Sequence, residues 1–156
     1  MHPERIVKNR FTVIGKEGST DDGPGFFRQL WAEANAHFSE VAGLAKREEN
    51  EVFSGFWGAM TDFSRSYLPW GDNFSRGLYL AGVECEDAAE PPEGWTKWDI
   101  PGFEYLRVEC DHEGVFPEMI TYLEENHIPL AGAVHDFTDP ATGKNYMYFP
   151  IRKLTE

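Results

Sequence analysis

The spacing of apolar residues changes along the first third of the chain, and the change predicts a strand followed by a helix. Residues 5–17 form the predicted strand, with Phe11 and Val13 on its apolar face. The residues 18–25, rich in glycine and aspartate, end it. Residues 26–45 are predicted to be helical because apolar side chains recur on one face that is wide enough to cover a sheet. They are Phe27, Leu30, Trp31, Ala34, Phe38, Val41 and Ala45.

Two more strands are predicted in the first half of the chain. They cover residues 52–62 and 76–86, follow a polar loop at 46–51, and are joined by an aromatic-rich connection at 63–74. Acidic residues and prolines are concentrated just after the second of these strands. Residues 87–96 are therefore predicted to be a linker.

The second half has a similar order of elements. A strand at 103–111 precedes a helix at 115–126, and two strands at 131–138 and 145–153 form a hairpin through a loop containing proline and glycine. Pro150 in the last strand predicts an edge position or a bulge, because proline cannot donate to a sheet ladder.

The order strand, helix, strand, strand thus occurs twice, and the FTVI of the first strand is echoed by FEYL in the second half. We predict one α+β domain made of two βαββ modules, at 5–86 and 97–153, with an antiparallel sheet and both helices on one side. Two such modules leave a cleft at their junction, where apolar ligand sites tend to occur. The alternative is a chance similarity between two unrelated α+β halves.

The net charge and the apolar content of the chain favour some classes of binding partner over others. The net charge is −13, which opposes binding to nucleic acids and anionic membranes and favours a cationic ligand or a basic protein. An acidic surface can also serve solubility alone. No stretch has the length and apolarity of a membrane span, and the first residues lack a signal-peptide pattern, so a cytoplasmic protein is expected.

The common catalytic and metal-binding signatures do not occur. Cys85 and Cys110 are widely separated, the five histidines lack ligand spacing, and no nucleotide-binding or hydrolase signature is found. We expect no metal and no cofactor.

Aromatic residues make up 15% of the chain, and many lie outside the two predicted helices. Flat aromatic faces bind apolar molecules and attract cations, although ordinary core packing explains any single one of them. Trp70 is the strongest candidate, because loops seldom bury tryptophan for packing alone. The aromatic candidates for a ligand site are Trp57, Tyr67, Trp70, Trp98, Tyr105, Tyr146 and Tyr148.

Three carboxylates interrupt apolar strands and are candidates for the same site: Glu84, Glu109 and Asp136. Each is either solvated or inside a cleft, and Glu109 has the simple alternative of an ion pair with Arg107. A carboxylate enclosed by aromatic groups gains a raised pKa, which suits general acid-base chemistry. His135 and Asp136 point to opposite faces of a strand, so they cannot form a dyad.

The chain resembles the GyrI-like small-molecule-binding family, the effector-binding domain of bacterial transcription activators. The matching motifs are FTVIG at 11–15, YLAGVE at 79–84, PEGW at 92–95, IPGF at 100–103 and YMYFPI at 146–151. The resemblance implies two βαββ modules, with helices on one side of the sheet and a ligand cleft on the other. It also implies a cleft carboxylate and gives most support to Glu84, while the family often has Glu near position 136.

Three functions are compatible with this resemblance for a stand-alone member. The first is capture of a lipophilic, cationic or polycyclic compound. The second is hydrolysis of strained rings in cyclopropanoid toxins, with Glu84 as the catalytic carboxylate. The third is inhibition of a protein such as gyrase through the acidic surface. The chain is expected to act as a monomer or a homodimer.

Overall fold

Eight strands form one antiparallel sheet in the computed structural model, which describes residues 2–155. The strand order is β1-β6-β8-β7-β3-β4-β2-β5. This confirms the predicted α+β class and antiparallel sheet. The superposition of two modules remains a prediction. The strands are β1 Glu4–Lys8, β2 Phe11–Ser19, β3 Phe56–Thr61, β4 Leu78–Cys85, β5 Thr96–Ile100, β6 Phe103–Glu109, β7 His135–Thr138 and β8 Asn145–Lys153.

The two long helices are α1 Phe26–Ala36 and α3 Val115–Glu125. Between them, the short segment α2 at Gly71–Phe74 is a single turn with left-handed backbone at Asp72, Asn73 and Phe74. The predicted helix at 26–45 is wrong beyond Ala36, since the chain continues there through a 3₁₀ turn at Phe38–Glu40. Val41 and Ala45 are buried in the same cluster as Ala34, so tertiary packing explains their apolar character. Among residues 2–155, no helix has the length and apolarity needed to cross a membrane.

The predicted single strand at 5–17 is in fact two strands, β1 and β2, that are not neighbours in the strand order. β1 pairs with β6, whereas β2 pairs with β4 and β5. Apolar spacing indicates a strand but carries no information about its partner, which is why one continuous strand was predicted.

The bulge alternative at Pro150 is confirmed, because the β6–β8 register shifts where Pro150 faces Tyr105.

Both long helices cover the same face of the sheet. Residues paired across antiparallel strands share a face, and the pairs Gly58–Asp136 and Asp136–Met147 link the two halves across β3, β7 and β8. Val83 lies on this face in the cluster beneath α1. Phe149 lies on it in the cluster beneath α3. We call it the helix face.

The opposite face holds a core of aromatic and aliphatic side chains, and we call it the helix-free face. Residues at alternate positions of every strand meet there, as the period of a strand requires. Burying each large side chain stabilises the fold by about 1.5–3 kcal/mol. The buried aromatic members are Phe11, Trp57, Trp98, Phe103, Tyr105, Phe137 and Tyr148.

Candidate functional site

Asp136 is a partly buried carboxylate near the centre of the sheet. It lies on the helix face of β7, beside Gly58 of β3 and Met147 of β8. Burial raises its pKa to about 6, and its side chain has no hydrogen-bond or ion-pair partner within residues 2–155. A carboxylate in this condition favours either a proton or an organic cation.

Two chambers share Asp136 as a lining residue. The first has a volume of about 230 Å³ and lies next to α3. Apart from the Asp136 carboxyl, its wall consists of hydrocarbon, aromatic and thioether groups, so we call it the apolar chamber. Its other lining residues are Met60, Trp70, Phe74, Phe116, Val134 and Met147.

The second chamber has a volume of about 310 Å³ and lies next to α1. Its wall includes a hydroxyl, a thiol and an amide beside several aromatic rings, so we call it the polar chamber. The two chambers together are the helix-face cleft. The polar chamber is lined by Phe27, Trp31, Gly58, Tyr79, Cys110, Phe137, Thr138, Asn145 and Tyr146, together with Asp136.

Gly58 determines the position of Tyr79 in the polar chamber. A Cβ atom at Gly58 would lie 2.1 Å from the Tyr79 hydroxyl oxygen, so only glycine allows the ring to cross β3. The Trp31 indole N–H of α1 donates to that hydroxyl at 2.9 Å. Burial raises the pKa of Tyr79, so the phenol stays neutral beside Asp136.

Trp70 is held in the wall of the apolar chamber by the connection before β4. Its indole N–H donates to the Leu78 carbonyl oxygen at 3.0 Å, and its ring occupies the space that a side chain at Gly77 would fill. Phe74 is the last of three successive residues with positive φ, and its ring contacts Phe116 of α3 edge to face with centroids 5.3 Å apart. The loop tryptophan therefore lines a cavity, and its role in binding a ligand stays a prediction.

A further pocket of about 380 Å³ opens on the helix-free side and is lined by Glu84, Trp57, Tyr148 and Lys8, among others. Glu84 is buried but fully partnered there. Its carboxylate accepts a hydrogen bond from the Trp57 indole at 3.0 Å and pairs with the Lys8 ammonium at 3.2 Å. A cation entering this pocket would have to compete with Lys8 for Glu84.

The other predicted site residues lie in the core or at its margin. The Trp98 indole donates to Glu17 at 2.7 Å, and Tyr67 contacts the Trp98 ring. Burial raises the pKa of Tyr67 to about 12. Tyr105 is fully buried, and Glu109 lies 3.6 Å from Lys144 in an exposed ion pair.

The structure therefore divides the predicted site residues among the helix-face cleft, the pocket on the helix-free side, and the core with its margin. Trp70, Asp136 and Tyr146 line the helix-face cleft, whereas Trp57, Glu84 and Tyr148 line the pocket on the other side. Sequence reasoning missed six aromatic residues of the cleft. The sequence places them in predicted helices, a loop or strands, and no local pattern distinguishes a cleft wall from a core. They are Phe27, Trp31, Phe74, Tyr79, Phe116 and Phe137.

No protein-family model matches the sequence, and no curated protein matches it. Solved structures do match. SAV2435 bound to tetraphenylphosphonium aligns over 97% of this chain and 94% of its own, with 11% identity and a TM-score of 0.67. At this identity, the likeness shows the fold alone.

Two further solved structures share the fold. EcmrR, in a cryo-EM structure of its complex with DNA, aligns over 98% of this chain with 12% identity and a TM-score of 0.68, and the chain spans 58% of its length. A hydrolase from Listeria innocua aligns over 96% of this chain and 90% of its own, with 12% identity and a TM-score of 0.55.

Proposed function

We propose that this protein binds a lipophilic organic cation in the helix-face cleft, with Asp136 as the counter-charge. The observation that carries the proposal is the unpartnered carboxylate of Asp136 between two largely apolar chambers. A buried charge without a partner costs free energy, and a cation that arrives with its own apolar substituents removes that cost without a polar shell.

The family resemblance implies a ligand cleft on the helix-free side, but the electrostatics of the two pockets favour the helix-face cleft instead. Glu84 is already neutralised by Lys8, and the charges of the other lining residues of that pocket balance, whereas Asp136 is the one charged residue among those that line the cleft. The other charged lining residues of the helix-free pocket are Lys46, Glu48, Arg107 and Asp139. The aromatic rings around Asp136 attract a cation through their faces. The net charge of −13 also raises the local concentration of cations near the protein.

The comparisons support the same class of ligand. SAV2435 is bound to tetraphenylphosphonium, which is a lipophilic cation, and shares the fold of this chain. Because the chain also resembles GyrI-like domains in its sequence motifs, the proposal includes membership of that ligand-binding family. The chain would then be a sensor or a sequestering protein for such cations.

A pair of ions with the same shape and opposite charge tests the proposal. Titration with tetraphenylphosphonium, followed by calorimetry or tryptophan fluorescence, should show saturable binding, whereas tetraphenylborate should bind at least tenfold more weakly. Asp136→Asn should lower the affinity for the cation at least tenfold, since it removes the counter-charge. Glu109→Gln removes the same charge at an exposed ion pair and is the matched control.

Two outcomes would reject the proposal. Equal affinity for both ions would remove the electrostatic basis. Equal effects of Asp136→Asn and Glu109→Gln would show that the net charge matters and the cleft carboxylate does not.

Hydrolysis of a bound strained ring is the second candidate function. It is favoured by the pKa of Asp136, because a carboxyl that titrates near 6 can take or deliver a proton close to neutral pH. Single-turnover assays with a polycyclic cyclopropane, read by mass spectrometry, separate the two functions. Turnover that falls about 10²–10⁴-fold in Asp136→Asn would assign the chemistry to this carboxyl, and the same loss in Glu84→Gln would assign it to Glu84.

A further inference from the structure

The two chambers of the helix-face cleft offer a ligand different chemistry. In the apolar chamber, the only tryptophan N–H is already donated to the Leu78 carbonyl oxygen at 3.0 Å. In the polar chamber, the Tyr79 hydroxyl accepts from Trp31 at 2.9 Å, and its own proton has no acceptor within residues 2–155. Tyr79 can therefore donate to a ligand.

The chambers lie on opposite sides of Asp136 along β7. Val134, two residues before it, lines the apolar chamber, and Thr138, two residues after it, lines the polar chamber. Residues two apart on a strand are about 6.5–7 Å apart. A ligand whose charge lies at Asp136 must therefore extend in two directions to fill both chambers.

The apolar chamber alone is too small for a bulky ligand. The apolar chamber, at about 230 Å³, is smaller than the range of roughly 300–1,000 Å³ that is usual for small-molecule sites. It suits one flat aromatic group. The remainder of a larger ligand has to pass Asp136 into the polar chamber, which has a volume of about 310 Å³.

The wall of the polar chamber is loosely packed. α1 buries only Ala34 among its residues, whereas α3 buries Val115, Met119 and Leu123. Phe27 of α1 lines the polar chamber and remains 41% exposed. A ligand arm in this chamber would cover apolar surface that the protein itself leaves open.

We infer that the ligand is an asymmetric organic cation. It carries an aromatic group on one side of its charged centre and, on the other, an arm with a hydrogen-bond acceptor such as a carbonyl or ether oxygen. The aromatic group lies between Trp70 and Phe116, the charge lies at Asp136, and the acceptor receives the Tyr79 hydroxyl proton. This inference rests on the proposed function.

Two quaternary ammonium ions test the asymmetry. Both carry two methyl groups and a naphthylmethyl group on nitrogen, and the fourth substituent is n-pentyl in one and 4-oxopentyl in the other. We expect Tyr79→Phe to weaken binding of the 4-oxopentyl ion about 2- to 10-fold, the usual effect of one neutral hydrogen bond. Binding of the pentyl ion should change by less than twofold. Phe116→Ala should weaken both ions to a similar extent.

A second measurement does not depend on the variants being folded. In the wild-type complex, nuclear Overhauser effects should connect the naphthyl protons with the methyl groups of Met60 and Met147. They should also connect the pentyl or oxopentyl protons with the rings of Tyr79 and Trp31. The reverse arrangement, or contacts of both groups with both chambers, would overturn the inference.

The outcomes distinguish this inference from the proposed function. If both ions bind and Asp136→Asn abolishes binding, but Tyr79→Phe affects the two ions equally, cation binding stands and the asymmetric ligand is wrong. If neither ammonium ion nor tetraphenylphosphonium binds to the wild-type protein, the proposed function itself is wrong.

Discussion

The indole N–H of Trp57 donates a hydrogen bond to one oxygen of Glu84 at 3.0 Å, and the Lys8 ammonium contacts the other oxygen at 3.2 Å. Trp57 belongs to β3, Glu84 to β4 and Lys8 to β1, so these contacts connect three strands on the helix-free face. Lys8 also lies 4.5 Å from the centroid of the Phe11 ring. Glu84 is therefore a partnered carboxylate, and its observed contacts are structural.

Glu84→Gln should destabilise the protein and leave cation binding unchanged. The amide oxygen can still accept from Trp57, but the charge that balances Lys8 is lost. We expect the free energy of unfolding to fall by about 1–3 kcal/mol, measured by urea denaturation. The double variant with Lys8→Met should recover part of this loss, because it removes the uncompensated ammonium. A tenfold loss of tetraphenylphosphonium affinity in Glu84→Gln would instead place the ligand on the helix-free face.

The affinity for a permanently charged cation should depend on pH through Asp136. Because burial raises the pKa of this carboxyl to about 6, the cation must displace a proton at lower pH. The affinity should be constant above about pH 7 and should fall about tenfold per pH unit well below 6. The neighbouring Cys110 stays neutral over this range, since burial raises the pKa of its thiol to about 11. Calorimetry from pH 4.5 to 8 measures the profile, and a steep profile retained in Asp136→Asn would contradict the assignment.

Asp136 should also lower the stability of the unliganded protein at neutral pH. Its folded-state pKa is raised to about 6 from an ordinary value near 3.8, so the folded protein binds the proton more tightly than the unfolded chain. The resulting stability is present at pH 4 and is lost as the pH rises through 6. We expect Asp136→Asn to increase the free energy of unfolding by about 1–3 kcal/mol at pH 7.5.

The same comparison at acid pH provides the control for that prediction. Near pH 4 the wild-type carboxyl is protonated, so the advantage of the asparagine variant should largely disappear. Thermal unfolding at the two pH values distinguishes this from a general effect of the substitution. A difference that is equal at pH 4 and pH 7.5 would show that the charge of Asp136 does not cause it.

Gly58→Ala should disturb the polar chamber from within the sheet. The new methyl group would lie 2.1 Å from the Tyr79 hydroxyl oxygen and 3.2 Å from the Asp136 Cβ atom, so the Tyr79 ring has to move. Overpacking of this kind usually costs about 1–3 kcal/mol. Urea denaturation and cation titration should show a loss of both stability and affinity. Gly43→Ala adds the same methyl group where nothing lies within 4 Å, and it should change neither quantity by much.

Local patterns in the sequence were sufficient for most elements of the fold. The last strand was predicted at its observed bounds, Asn145–Lys153, and the second helix differs by one residue at its end. The patterns failed where residues are buried by distant contacts. Val41 and Ala45 extended the helical spacing of α1, although the helix ends at Ala36.

The candidate site could be predicted only in part. Trp70 and Asp136 were among the residues selected from the sequence, because a tryptophan in a loop and a carboxylate in an apolar strand both require an explanation. Tyr79 and Trp31 were missed. The hydrogen bond between them depends on Gly58 of β3, because the missing side chain leaves room for the Tyr79 ring to lie across β3 and reach Trp31 of α1. That contact joins residues 48 positions apart, so no local spacing reveals it.

The sequence by itself determined the α+β class, the two long helices and most of the strands, the acidic charge and the set of three candidate carboxylates, because these follow from local periodicity and composition. It did not separate β1 from β2 and did not predict β5 as a strand. Only the tertiary structure decided which carboxylate lacks a partner. Lys8 reaches Glu84 across 76 positions and Lys144 lies near Glu109, whereas no side chain within residues 2–155 pairs with Asp136. Charge pairing depends on distance in space, and folding brings Lys8 to Glu84 while it places Asp136 between an apolar and a polar chamber that have no basic residue among those that line them.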